Sequence, residues 1–369
     1  MARRSGKSGR QSSSAMVDNS RAKSALQTAL LRPCLQQGPP DTLEVDAIAI
    51  GIADAIANVD ANANGDSPRS PALPCPLPCP PALPMPTITP ATRTDPSAET
   101  EFKLLPEDFD RIRRLIYQRA GISLHDGKRA MVYSRLSRRL RETGYSGFAD
   151  YLSHLEGLTG PAAEAEWQEF INCLTTNLTA FFREEHHFHA LADDLRARAS
   201  RPVRLWCNAA STGEEPYSLA ITALETLGTS AQVRLVCSDI DTQVLATAQR
   251  GVYADDARGL TADRLKRHFM RGTGANSGHI RVKPELARMI EFQSFNLTGM
   301  QWAGLGEPFD LVFCRNVMIY FDPTTQRRVL ERTHAAMKPG GLLYVGHSEN
   351  FTEARDLFRL RGKTIYERV

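Results

Sequence analysis

The 369-residue sequence has no uninterrupted apolar run near the roughly 20 residues that a membrane-spanning helix needs. Its basic, serine-rich first 16 residues lack the apolar centre of a secretory signal. A strong charge of either sign is also missing: 45 Lys and Arg stand against 42 Asp and Glu, for a net +3. Composition therefore supplies no general attraction to nucleic acid, and any charged partner surface must be local. The seven cysteines are odd in number and scattered, which excludes a disulfide framework and suits reduced thiols in the cytoplasm. Cys75 and Cys79, the closest two, sit among prolines with no histidine or second cysteine pair nearby, so no zinc site is read there. Glu185, His186, His187 and His189 do not make one either, because spacings of i, i+1 and i+3 do not bring three imidazoles together. No metal is expected. A G-x-G-x-x-G turn is absent as well, which argues against a dinucleotide pyrophosphate loop.

The chain is long enough for two domains with sizeable cores. Residues 67–90 are dense in proline and alanine, and 1–100 as a whole read as a disordered extension. From 101 to 175, apolar residues recur at helical spacing (Phe109, Ile112, Leu115, Ile116, then Val132, Leu136, Leu140), punctuated by glycines. This predicts a small all-α domain. From 176 to 369 short apolar runs at 203–207, 233–238, 289–292, 309–314 and 342–346 alternate with helical stretches. That rhythm predicts an α/β fold with a mostly parallel sheet covered on both faces. The polar, Gly-rich interval at about 251–283 breaks it and reads as a small β insertion with short strands near Val252 and at 279–282.

Four segments carry chemistry. At 205–218 a strand runs into a small-residue turn and a helix opened by Glu214-Glu215-Pro216. Two carboxylates there would repel a phosphate and favour a sulfonium or ammonium group, unless they only complement the helix dipole. At 233–241 an acidic residue, Asp239, ends the second strand where this architecture holds ribose hydroxyls, and Asp241 is placed to cap the next helix. At 175–184 a Thr-Thr-Asn-Leu-Thr segment precedes two phenylalanines and Arg183-Glu184; by composition alone it is a cap before an aromatic helix. At 309–322 an apolar strand ends in Cys314-Arg315-Asn316, an unusual place for a charge without a partner.

Taken in order, Asn-Leu-Thr-Ala-Phe-Phe-Arg-Glu (177–184), Ala-Ser-Thr-Gly-Glu-Glu-Pro-Tyr-Ser (210–218), Ser-Asp-Ile-Asp (238–241), Phe-Cys-Arg-Asn-Val-Met-Ile-Tyr-Phe (313–321) and Gly-His-Ser-Glu-Asn-Phe (346–351) closely resemble the CheR family. These are chemotaxis receptor glutamate O-methyltransferases, and the resemblance runs from about Phe102 to the C-terminus. It implies a Rossmann-like methyltransferase domain that uses S-adenosyl-L-methionine. It also implies that Asn177, Thr179, Arg183, Glu215, Asp239, Asn296, Leu297, Cys314, Arg315 and Asn316 contact that cofactor. Arg183, Arg315 and Tyr320 would face the methyl group and the incoming substrate. The implied partners are the cytoplasmic domains of methyl-accepting receptors, served by a monomer without nucleic acid or membrane insertion. The insertion resembles the family's β-subdomain, which in some members docks a peptide at the receptor's C-terminus. Lys128, Arg135, Arg138 and Arg139 share one face of the helix read at 128–141 and are the expected receptor-docking surface, although such faces are often only solvated. Two other readings stay open: a methyltransferase for nucleic acid or small molecules, and a non-catalytic cofactor sensor. Within the first, amino-group methylases of this fold tend to carry Asn/Asp-Pro-Pro-Tyr after the fourth strand, where this chain has Arg315-Asn316-Val317-Met318.

Overall fold

A computed structural model describes residues 101–229 and 232–369; the extension read at 1–100 lies outside the described residues. Four helices come first: α1 (Pro106–Ala120), α2 (Arg129–Thr143), α3 (Phe148–Gly157) and α4 (Pro161–Leu174). Proline occupies the first turn of α1 and α4, where its missing N–H costs nothing. Gly121 and Gly144 end α1 and α2 in the left-handed conformation, each returning its N–H to the last turn. Ile112, Ile116, Val132, Leu136 and Leu140, at three- and four-residue spacing, are fully buried with Tyr151, Leu152 and Phe170. Burying each large aliphatic side chain contributes about 1.5–3 kcal/mol, so this core rather than helix propensity holds the four helices together. Lys128 closes a 3-10 turn (Asp126–Lys128) before α2, so the helix starts one residue later than read from sequence.

After α5 (His186–Arg196), a seven-stranded sheet is built from β1 (Val203–Cys207), β2 (Val233–Asp239), β6 (Ile290–Ser294), β7 (Phe309–Cys314), β8 (Met337–Val345), β9 (Phe358–Gly362) and β10 (Ile365–Arg368). Its order is β6-β2-β1-β7-β8-β10-β9. The first five strands run parallel and β10 enters antiparallel, a Rossmann-like α/β sheet. Alternation along the strands separates two cores. Leu205, Cys207, Leu311 and Phe313 face α5 and α6 (Glu214–Leu227). Trp206, Val312 and Cys314 face α9 (Pro323–Ala335) and the aromatic loop around Trp302.

The β9–β10 hairpin has no counterpart in the sequence reading. β9 exposes every residue after Phe358 and interleaves arginines, so it lacks the continuous apolar signal of a buried strand. Between α7 (Thr242–Arg250) and β6, residues 252–282 form an antiparallel sheet β3-β5-β4 from β3 (Val252–Ala254), β4 (Phe269–Arg271) and β5 (His279–Val282), with α8 (Ala262–His268) before β4. Two strands were read there; the third, β4, is only three residues long. The Phe181 ring packs edge-on against Tyr253 and Phe269 at 5.0 and 5.7 Å, joining this small sheet to the main domain. The join is tight at Gly259 (φ +89°), where a Cβ would lie 1.8 Å from the Phe181 carbonyl oxygen.

Candidate functional site

In an open α/β sheet the strand order reverses beside β1, and ligands bind at the carboxyl ends of the strands there. A cavity of about 380 Å³ opens at that place, under the ends of β1, β2 and β7. The segment 174–179 and residues 120–131 of the helical unit complete its wall.

β1 ends at Cys207 and the chain turns through Asn208-Ala209-Ala210-Ser211 into α6. Ser211 adopts a left-handed φ of 49°, and its N–H donates to Asp239 Oδ2 at 2.8 Å. Asp239 Oδ1 accepts the Asp241 N–H at 3.0 Å, so each oxygen keeps a lone pair for another donor. Burial pushes the Asp239 carboxyl up to about 6, against the opposing pull of these backbone bonds. Asp241 caps α7 by accepting from Gln243 and Val244, and its second oxygen takes Thr175 Oγ1 at 2.6 Å and Asn177 Nδ2 at 2.7 Å. The Asn177 side chain thus ties the interdomain segment to the sheet.

At the end of β7 the Arg315 side chain is fully buried. Its Nη1 lies 2.5 Å from Glu215 Oε2, and its Nη2 lies 3.3 Å from Glu184 Oε2 and donates to the Arg183 carbonyl at 2.6 Å. Burial by itself would lower the guanidinium's pKa; the two carboxylates outweigh it and raise it. Glu184 is likewise held below its ordinary range, because Arg315 overcomes the burial that would raise it. The neighbouring His187 is driven down to about 3 by burial and by Arg315, and sits neutral against Thr364 Oγ1 at 2.9 Å. The following turn is held by Glu349, whose carboxylate accepts four backbone N–H groups: Gly346, Asn316, Val317 and Met318 at 2.6–3.0 Å. Phe182, Glu184, Ser211 and Asn316 all have φ near +50 to +60°, so backbone strain gathers in the segments that build this wall.

Asn296 and Leu297 line the cavity. Asn296 donates to the Arg119 carbonyl at 2.7 Å and accepts from Thr298 N and Oγ1, which fixes this loop against α1. Nearer solvent, Arg183 donates to the Leu178 carbonyl at 3.2 Å and has no acidic partner among the described residues. Tyr320 Oη donates to the Thr176 carbonyl at 3.5 Å, and burial raises its pKa, keeping it a donor.

Of the residues expected at the site, Asn177, Thr179, Arg183, Glu215, Asp239, Asn296, Leu297, Arg315, Asn316 and Tyr320 line the cavity, and so does Lys128. Cys314 does not. Its side chain packs in the apolar core on the opposite face of the sheet from Phe313, as strand alternation requires. Glu214 is also turned away, accepting from Thr212 Oγ1 at 2.6 Å, so one carboxylate of the pair reaches the cavity rather than two. The basic face of α2 is less free than its sequence implies. Arg139 is held by Glu166 at 3.0 Å, Arg135 bonds the Thr175 carbonyl, and Arg138 pairs with Glu142 at 2.9 Å. Asn208, Glu184 and Glu349 also take part, with no sign of their roles in the sequence segments that contain them. Their partners are set by tertiary contacts that no local pattern encodes.

The wall suits a nucleoside with a charged, polar tail. The Asn208 side chain, 2% exposed, leaves its amide oxygen without a hydrogen-bonding partner and its NH₂ with no more than the weakly accepting Cys314 thiol, and Arg315 Nε also lacks one. Buried polar atoms left this way are costly unless a ligand completes them. Asp239 offers acceptors for hydroxyls, and Glu215 a carboxylate for a cation. Donor atoms of Glu184, His186 and His347 lie within 4.8 Å of one another. The two imidazoles stack with their planes 18° apart, and no ion is needed to account for this contact.

Comparison with known proteins agrees with this geometry. Residues 177–366 match the family model described as CheR methyltransferase, SAM binding domain, and residues 107–175 match CheR methyltransferase, all-alpha domain. The chain is 54% identical over 260 residues to the chemotaxis protein methyltransferase of Escherichia coli K12, covering 70% of this chain and 89% of that one. It is 55% identical over 260 residues to the Klebsiella aerogenes protein of the same name (70% and 88%). Chemotaxis protein methyltransferase 2 of Pseudomonas aeruginosa is 51% identical over 270 residues (72% and 94%). The cofactor is S-adenosylmethionine, and the chain belongs to the CheR methyltransferase family.

Proposed function

We propose that this methyltransferase acts in chemotaxis by esterifying glutamate γ-carboxylates on the cytoplasmic domains of receptors. The observation that carries the reading is the charge at the cavity mouth: Arg183, an arginine without an acidic partner, beside the Tyr320 hydroxyl donor. A carboxylate acceptor, with a reference pKa of about 4.3, is already the nucleophile near pH 7 and needs no base. The cavity's own carboxylates fit that requirement, since Glu215 is bound to Arg315 and Asp239 is buried at the end of β2. When bound, the cofactor supplies an electrophilic methyl on a sulfonium. What the protein does is align: Asp239 takes the ribose hydroxyls, Asn208 and Glu215 the amino-acid end, and Arg183 with Tyr320 the incoming carboxylate. The curated relatives' names support chemotaxis as the setting.

No helix of the described residues is long and apolar enough to cross a membrane, which fits an enzyme that meets its receptors from the cytoplasm. We assign receptor docking to the exposed part of α2 and, for a receptor C-terminal peptide, to the free outer edge of β4. The deciding experiment is transfer of labelled methyl to receptor-containing membranes, with Asp239→Ala as control. Base-labile label on receptor protein is expected. Label stable to base, or cofactor binding without transfer, overturns the proposal.

A further inference from the structure

Large apolar side chains at the surface are few among the described residues, and two of them line the same cavity: Leu178, 82% exposed, and Ile319, 50% exposed. They belong to different segments. Leu178 lies in the strand-free stretch between α4 and α5, and Ile319 in the 3-10 turn after β7 (Met318–Tyr320). Tyr320 Oη reaches the Thr176 carbonyl at 3.5 Å, so the two segments meet at the mouth of the cavity. Neither side chain is needed by the fold. Leu178 lies in none of the apolar cores, and its backbone carbonyl, not its side chain, is what receives Arg183.

Two exposed aliphatic side chains placed beside the unpaired Arg183 make an apolar rim around a cationic entrance. Solvation disfavours such a rim in the free enzyme, and covering it on binding returns that free energy. We infer that Leu178 and Ile319 are specificity determinants for the methyl acceptor: they receive an aliphatic side chain that lies next to the accepting carboxylate on the acceptor's surface. The occupant is thus an acidic protein segment with an aliphatic neighbour at the modified position. Arg183 supplies the charge complementarity, and the rim discriminates among the many carboxylates an acidic receptor exposes. This inference rests on the carboxylate-acceptor reading above and adds the acceptor's local sequence character to it.

The test is a steady-state comparison of the full-length wild-type chain and the Leu178→Ser/Ile319→Ser double variant, with receptor-containing membranes as acceptor. Both positions are exposed, so the variant should melt with the wild type, and binding of S-adenosylhomocysteine is measured alongside. The expected result is a KM for receptor raised about tenfold or more, with kcat within about twofold. The increase should persist at high salt, which separates an apolar contact from the charge-driven part of docking. Conservative Leu178→Met/Ile319→Val should restore KM. An unchanged KM overturns the inference, as does a loss of S-adenosylhomocysteine affinity matching the change in KM, which would place these side chains in cofactor binding. If the wild type transfers no methyl to receptor carboxylates, the underlying functional reading fails first, and that outcome is visible before any variant is made.

Discussion

The ribose role proposed for Asp239 has a pH signature that can be worked out in advance. Burial holds its carboxyl at about 6 in the cofactor-free protein, against 3.8 when unperturbed. The folded-state value is the higher one, so the folded chain binds this proton more tightly than the unfolded chain. The associated stability is complete below pH 3.8 and is lost as pH rises through 6, a change of about 3 kcal/mol. Ribose hydroxyls reverse the preference, because they donate to the ionised form. Cofactor binding must therefore expel the proton, and with the Asp239 carboxyl at about 6 the apparent Kd scales as 1 + 10^(6 − pH). At pH 5 affinity should be about tenfold weaker than at pH 7.5, and near pH 7 the dependence should vanish. The assay is calorimetric titration of S-adenosylhomocysteine from pH 5 to 7.5. Asp239→Asn is the control and should flatten the profile. Its net stability effect is small by comparison. Removing the buried ionisable group gains up to about 3 kcal/mol at pH 7, but the new NH₂ faces the Ser211 or Asp241 N–H and gives back about 1–3 kcal/mol. A Kd that is flat across the window, or the same break retained in Asp239→Asn, would refute the reasoning.

Three further perturbations test other parts of the wall. Glu349→Gln keeps the shape but turns an NH₂ toward two of the four backbone donors, so chemical denaturation should show a loss of roughly 2–4 kcal/mol; a loss under about 0.5 kcal/mol refutes the bracing role. Arg315→Met strands Glu184 and Glu215 as buried charges and should cost about 3–5 kcal/mol in thermal or denaturant unfolding. Arg315→Lys should rescue poorly, since one ammonium cannot reproduce the fork between the two acids. Arg138→Glu, at the most exposed guanidinium of the α2 face, should raise the receptor KM several-fold at low salt, with the effect shrinking at high salt and cofactor affinity unchanged. An unchanged KM in that variant would reduce this face to a solvated surface.

What could be read from the sequence follows from which interactions are local. β1, β2 and β7 are buried on both faces, so they announce themselves as apolar runs. The helical core is visible for the same reason, its buried positions repeating every three to four residues. β4 and β9 are short, edge-placed and largely exposed, and leave almost no pattern. At the site, strand-end motifs brought Asp239 and Arg315 to attention because acids and cations at the ends of apolar strands are anomalous on composition alone. Their commitments were not legible. Arg315 and Glu215 are 100 residues apart, and Glu349 reaches the Asn316 turn across 33. Cys314 belongs to the same motif as Arg315 but its side chain packs in the apolar core, because a motif names consecutive residues and a strand sends consecutive side chains to opposite faces.

Those commitments change how the two arginines divide the work. Arg315 is enclosed by two carboxylates and by the Arg183 carbonyl, so the cluster of one cation and two acids carries a net −1. It has no charge left to orient the proposed carboxylate acceptor. A net-negative, desolvated cluster suits the ammonium and sulfonium of the cofactor, while it would repel an acceptor carboxylate approaching the same depth. Arg183 sits on the solvent side without an acidic partner and offsets that repulsion where the acceptor enters. The polarity of the cavity therefore runs from negative inside to positive at the mouth. Such a gradient would draw a cationic donor inward and hold the proposed anionic acceptor at the entrance, where the two can be aligned for transfer. Reversing it with Arg183→Glu should remove transfer to a carboxylate while leaving S-adenosylhomocysteine affinity within about threefold, as loss of a transition-state contact rather than of ground-state binding implies. Equal losses in cofactor affinity and turnover would instead place Arg183 in the cofactor's own binding shell.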